Sequence, residues 1–203
     1  MILGVTGGIA GGKSTVVALL ADLGARVISA DQLSRELVEP GRPALKALVA
    51  RFGKAILNPD GTLDRAGLGA QVFADPQARR DLEAILHPAI AELSRQRLQD
   101  AVQQMGPDGL VVYEAPLLFE AHAEDRVDQV LTVTVDEAVQ LQRLMQRDQC
   151  DETAARQRIA AQMPQAEKAR RADYVIDNSA DLTRLKTQVE QLYLTLCPSA
   201  AQV

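Results

Sequence analysis

Gly7-Gly8-Ile9-Ala10-Gly11-Gly12-Lys13-Ser14 spells G-x-x-x-x-G-K-S directly after the apolar run Ile2 to Val5. Residues of these types at this spacing hold a chain of phosphates. Four glycines let backbone N–H groups crowd around phosphate oxygens without Cβ clashes. Lys13 reaches the β/γ-phosphates, the Ser14 hydroxyl takes a place on Mg²⁺, and the following helix turns its positive N-terminus to the same anion. Gly8, Ile9, Ala10, Gly11, Gly12, Lys13, Ser14 and Thr15 are therefore the candidate nucleotide cradle. A glycine-rich turn that binds nothing is the competing reading. Against it stand the strand pattern before the loop and Val16, Val17, Leu19, Leu20 and Leu23 at helical spacing after it.

Further residues carry candidate chemistry. Asp31 follows the second strand pattern, where a carboxylate can accept a proton from an attacking hydroxyl or help hold Mg²⁺ through water. It can equally cap a helix beginning near Gln32. Glu114 ends the strand pattern Leu110–Tyr113, a place for an acidic group near the metal, with a surface or capping role as the alternative. Arg143 and Arg147 are four apart and share a helix face. Paired guanidiniums there can clamp a transferring phosphoryl group, or the face that also carries Gln140 and Asp148 is simply solvated. His87 precedes Pro88, where a helix is expected to open; the residues leave open whether it contacts a ligand.

The elements that must position these residues are legible as a pattern. Strands are expected at Ile2–Thr6, Arg26–Ser29, Leu110–Tyr113, Val130–Val135 and Tyr174–Ile176. Helices are expected over Lys13–Leu23, with Gly24 as stop, and over Glu137–Arg147 and Glu152–Gln162, the last capped by Asp151. A final helix carries the stripe Leu182, Leu185, Val189, Leu192 and Leu196, followed by a tail from Pro198 expected to fray. Between Gln32 and Met105 the pattern is helical, with turns expected at Pro40-Gly41, Asn58-Pro59-Asp60-Gly61, Asp75-Pro76 and His87-Pro88. Strands alternating with helices imply an α/β fold with a parallel sheet and ligands at the strands' carboxyl ends. Thr6, Asp31, Glu114 and Asn178 fall at or just after such ends.

Bulk properties narrow the class. The chain has 203 residues, 47% apolar and 24% charged, as in ordinary globular proteins. A net charge of −5 argues against a general nucleic-acid binder, so an anionic ligand must be met by local Arg and Lys. Cys150 and Cys197 fit no metal spacing, and the N-terminus runs straight into a strand pattern. No apolar stretch approaches membrane-spanning length. The expectation is a cytoplasmic protein with small-molecule ligands, no nucleic-acid or membrane partner, and a monomeric or weakly oligomeric state.

Taken together, the motifs resemble the dephospho-CoA kinase family almost end to end. The matching segments include Val5 through Thr15, Ser29-Ala30-Asp31 with Arg35, Leu63-Asp64-Arg65, Val72-Phe73 and Leu86-His87-Pro88. They continue through Pro116-Leu117-Leu118-Phe119-Glu120, Arg143 with Arg147, Gln162-Met163, Lys168 and Ile176-Asp177-Asn178. The resemblance implies a three-layer P-loop kinase fold with a five-stranded parallel sheet. It implies a nucleotide-binding core (1–31, 106–142, 163–203), a helical CoA-binding insertion (32–105) and a helical lid (143–162). It also implies that ATP, with Mg²⁺, donates its γ-phosphoryl to the ribose 3′-hydroxyl of dephospho-CoA. On this resemblance Asp31 faces that hydroxyl, and Lys13 and Ser14 serve the phosphates and Mg²⁺. Arg143 and Arg147 contact ATP from the lid, Arg65 and His87 line the acceptor side, and Asn178 lies near the adenine. Two departures from the family's usual pattern stand out. Ala10-Gly11 replaces Gly-Ser, so Ala10 needs a φ that a Cβ accepts, and Glu114 stands where Asp or an apolar residue is commoner. The rival readings are a nucleoside monophosphate kinase and a nucleotide-dependent switch, the latter lacking any Asn-Lys-x-Asp segment here.

Overall fold

The computed structural model describes residues 1–198; the expected frayed tail beyond Pro198 lies outside them. Five parallel strands, β1 (Ile2–Gly7), β2 (Arg26–Ser29), β3 (Val111–Glu114), β4 (Gln129–Thr134) and β5 (Tyr174–Asp177), form one sheet in the order β2-β3-β1-β4-β5. This is the α/β arrangement the alternating pattern predicts, with strand limits displaced by a residue where they differ at all. β1 is the hinge of the topology: the chain leaves it for β2 and β3 on one side and for β4 and β5 on the other. A crevice opens at the carboxyl end of such a switch strand, which is where the phosphate loop begins.

The central strands are apolar on both faces because helices cover both. Leu3, Val5, Leu131 and Val133 are fully buried, and α1 (Lys13–Asp22) adds Val16, Val17 and Leu20 to the same core. Gly24 ends this turn of chain with φ 104°, and Ala25 N–H donates to Leu20 O at 3.0 Å. The last helix, α9 (Leu182–Leu196), packs Leu185, Val189 and Leu192 against that core. Leu182, placed on the same stripe by its spacing, is instead 53% exposed.

The chain separates into two compact units, Met1–Ser29 with Arg97–Val203, and Ala30–Gln96. The second is helical: α2 (Ala30–Leu37), α3 (Pro43–Phe52), α4 (Arg65–Ala74) and most of α5 (Pro76–Met105), with an isolated bridge between Leu57 and Leu63. Its own small core gathers Val38, Leu45, Leu48, Ile56 and Leu68. Asp64 caps α4 by accepting from Gly67 N–H at 2.9 Å.

Three local expectations need correction. His87-Pro88 is no turn: both residues lie inside the 30-residue helix α5. Proline removes one helical hydrogen bond, and the long helix absorbs that loss. Asp31 is not the residue before a helix but sits in the first turn of α2, which starts at Ala30. Between β4 and β5 there are three helices rather than two: α6 (Glu137–Asp148), α7 (Glu152–Ala160) and α8 (Gln165–Arg171). α8, only seven residues long, shows no stripe to announce it, and Pro164 precedes its first turn. The cap on α7 is as expected, Asp151 accepting from Ala154 N–H at 2.8 Å.

Because Leu131 is wholly buried at the centre of β4, Leu131→Ala is expected to cost about 2–5 kcal/mol. A lowered thermal-unfolding midpoint of the full chain checks this.

Candidate active site: the phosphate loop and its supports

The loop leaves β1 at Gly7 and enters α1 at Lys13, and its shape depends on two close approaches. Gly12, the N-cap of α1, has φ 85° and ψ 22°; a Cβ there would overlap the Asn178 carboxamide nitrogen. A Cβ on Gly8 would come within 2.7 Å of Gln140 Nε2. Among the described residues no side chain caps α1 and no carboxylate sits in its first turn. Its positive end therefore faces the loop without a resident negative charge.

Side chains distant in sequence hold the loop. Asn178 Nδ2 donates to Gly11 O at 3.0 Å. Gln140 Nε2 donates to Ile9 O at 2.8 Å, and Ile9 N–H donates to Gln162 Oε1 at 2.8 Å. Lys13, a buried lysine, donates from Nζ to Gly7 O at 3.0 Å and to Gly8 O at 2.8 Å. Ala10 adopts φ 56°, the left-handed region that favours glycine. The requirement its Cβ imposes is thus met by strain rather than by an ordinary conformation.

Beside the loop lies a cavity of about 330 Å³, lined by Gly12, Thr15, Arg143, Asn178, Leu182 and Leu185. Asn178 is fixed there by its N–H donating to Thr134 O at 2.8 Å, and Arg143 Nη1 donates to Asn178 O at 3.1 Å. Guanidinium, carboxamide and loop backbone form the polar wall, and the two leucines of α9 form the apolar wall. Such a mix suits a flat heterocycle joined to phosphates.

Arg147, four residues after Arg143, turns to Asp148, with Nε at 2.7 Å from Oδ1. Its hydrogen bond, with Arg158 adding a second, holds the Asp148 carboxyl below the usual carboxylate range. The structure therefore brings Arg143 to the cavity with Gly12, Thr15 and Asn178, while Arg147 is engaged elsewhere. Glu114 is the last residue of β3, level with Val5 of β1 and Ser29 of β2. Asp31, Arg65 and His87 belong to the second unit, all exposed: Asp31 in the first turn of α2, Arg65 opening α4, His87 within α5.

Part of this machinery is not evident from the sequence. Gln140, which the sequence leaves between a clamping face and a solvated one, is 3% exposed and serves the loop. Its one signal is its position, three residues before Arg143 on the same helix side. Gln162, Glu120 and Lys168 belong to the segments of the resemblance but carry no role there, and nothing local distinguishes them from surface polar residues.

A five-stranded parallel sheet in this order, with a glycine-rich G-K-S loop at the carboxyl end of its central strand, defines a P-loop kinase fold. Known proteins agree with that class. The solved structure of TT1252 from Thermus thermophilus superposes with a TM-score of 0.78 at 34% identity, covering 97% of each chain. Dephospho-CoA kinase from Campylobacter jejuni gives 0.75 at 27% identity, covering 98% of each chain. By sequence, the dephospho-CoA kinase of Syntrophotalea carbinolica is 52% identical over 198 residues, covering 98% of this chain and 93% of the relative. That of Geobacter sulfurreducens is 50% identical, covering 97% and 99%. The family model described as Dephospho-CoA kinase matches residues 1–184. The chain belongs to the dephospho-CoA kinase family.

Since a left-handed non-glycine residue costs about 1–2 kcal/mol, Ala10→Gly is expected to raise stability, offset in part by the freer unfolded chain. A higher midpoint in thermal unfolding checks it; an unchanged or lower midpoint contradicts the strain at Ala10.

Proposed function

We propose that the chain phosphorylates the ribose 3′-hydroxyl of dephospho-CoA with ATP, giving coenzyme A and ADP. This is the activity of the family to which it belongs, and one observation carries it onto this chain's residues. The phosphate loop stands at the switch strand, with a cavity beside it walled by Arg143, Asn178 and the leucines of α9. In that cavity the adenine lies against Leu182 and Leu185 near Asn178, and the triphosphate runs along the loop from Gly8 to Thr15. Lys13 exchanges its loop carbonyls for the β/γ-phosphates, a short swing of a flexible side chain. Arg143 neutralises charge on the phosphoryl oxygens, where stabilisation matters most in a loose transition state.

The oxygen donors near the loop suit Mg²⁺, which prefers hard ligands and keeps several waters. The exposed Ser14 hydroxyl in the first turn of α1 is one, and the Glu114 carboxylate, on the strand beside β1, is a second. Bound there, Mg²⁺ would supply neutralisation of phosphate charge. Asp31 orients the acceptor hydroxyl and takes its proton, and Arg65 and His87 bind the acceptor from the helical insertion, residues 32–105. Residues 143–162 act as the lid over the nucleotide, a role in which Arg147 leaves Asp148 for ATP. Residues 1–31, 106–142 and 163–203 form the nucleotide-binding core. Ligands are small molecules, with no nucleic-acid partner and a monomeric or weakly oligomeric state. Among the described residues no helix is long and apolar enough to cross a membrane, and both cysteines are free thiols, which supports a cytoplasmic setting.

ADP release measured with dephospho-CoA and, separately, with the common nucleoside monophosphates tests the reading. Turnover is expected with dephospho-CoA, and turnover with a monophosphate alone would overturn it. Asp31→Asn is expected to abolish turnover while ATP affinity stays near normal; a variant with near-normal kcat removes Asp31 from the chemistry.

A further inference from the structure

The supports of the loop continue below Gln140 and Gln162, and the role inferred for them rests on the loop being the ATP site. Gln162 reaches Ile9 from just past the end of α7, where its own N–H donates to Ile159 O at 3.2 Å in the last turn before the chain leaves the helix. The next residue is held from beneath: Met163 N–H donates to Glu120 Oε1 at 3.1 Å. Glu120 is in turn clamped by Lys168 of α8, whose Nζ lies 2.8 Å from Oε1 and 3.0 Å from Oε2.

Lys168 is completely buried, an unusual place for an ammonium. Its third partner is Pro116 O at 2.8 Å, and that carbonyl also accepts from Thr6 Oγ1 at 3.0 Å. Thr6 is the residue just before the loop. One buried cation thus ties the strand that launches the loop, the segment Pro116–Glu120, and the backbone that carries Gln162. α8 is well placed to serve as the anchor. Its first residue, Gln165, exchanges two hydrogen bonds with Val135, at 3.1 Å and 2.7 Å, and Arg171 stacks 4.3 Å from the Phe119 ring.

An ion pair with one member fully buried is weak as a source of stability, because desolvating that member consumes much of the attraction. What such a pair does supply is a fixed geometry for the groups bonded to it. We propose that Glu120 and Lys168 are positioning residues for ATP binding, acting through Gln162: they hold the backbone at Met163 so that the Gln162 carboxamide stays on Ile9 N–H and keeps the phosphate loop in its binding shape. Neither touches the nucleotide. The effect belongs in the affinity for ATP and not in the affinity for the acceptor.

The test is steady-state kinetics of the full chain with ATP and dephospho-CoA, using Q162A, E120D and the double variant. E120D keeps a carboxylate for Lys168 but withdraws it from Met163 N–H, so it separates positioning from charge pairing. Assays run well below the lowest unfolding midpoint, so a stability loss alone moves neither KM. Each single variant is expected to raise KM for ATP about fivefold, the worth of one net hydrogen bond, with KM for dephospho-CoA unchanged. The double variant is expected to match Q162A alone, because both changes cut one chain of contacts. An unaltered KM for ATP in Q162A overturns the proposal. So does an additive double variant, at about twenty-fivefold. If the unsubstituted chain releases no ADP with dephospho-CoA, the ATP-kinase reading fails instead; if it is active and the variants behave as it does, only the positioning role fails.

Discussion

A loop that offers its N–H groups to phosphate must dispose of the carbonyls that point the other way. Unpaired buried carbonyls cost as much as lost hydrogen bonds, so this condition decides whether the loop has one shape or many. Here the carbonyls of Gly7, Gly8, Ile9, Gly11 and Gly12 each accept a hydrogen bond. Gly7 and Gly8 give theirs to Lys13, Ile9 to Gln140, Gly11 to Asn178, and Gly12 to the N–H groups of Thr15 and Val16. Several of these partners come from elements far along the chain. The loop is therefore a product of the sheet and its helices, and its glycines at positions 8 and 12 are explained by how closely those partners approach.

The topology follows from the same need. Placing β1 between β3 and β4 puts its carboxyl end beside Thr6's partner Pro116 on one flank and the β4–α6 connection on the other. Asn178 arrives just past β5, anchored through Thr134 at the end of β4. The protein carries a net charge of −5 yet is built to hold a polyanion. Local placement resolves this: the N-terminal end of α1, Lys13 and Arg143 converge on the loop.

Much of this is legible in the sequence because it is local. The strands announce themselves as short β-branched runs, and the cap at Asp151 and the stop at Gly24 each follow from one residue's own chemistry. Legibility ends where local preference meets a larger structure. Pro88 suggests a break, but in a 30-residue helix the loss of one hydrogen bond does not outweigh the packing of the remainder. Gln140 looks like a surface residue because carboxamides usually are, and its burial depends on an acceptor 131 positions away. α8 is too short to show periodicity, and composition alone would place its Lys168 in solvent.

By itself the sequence determined the phosphate loop, the strand and helix types around it and the family, since motif spacing and periodicity are carried by neighbouring residues. Only the tertiary structure decided which side chains keep that loop in shape. Asn178 and Gly11 are 167 residues apart, Gln162 and Ile9 are 153 apart, and Lys168 and Pro116 are 52 apart. Such pairs are chosen by strand order and by the burial that forces each polar atom to find a partner, and neither leaves a mark in any short window of sequence.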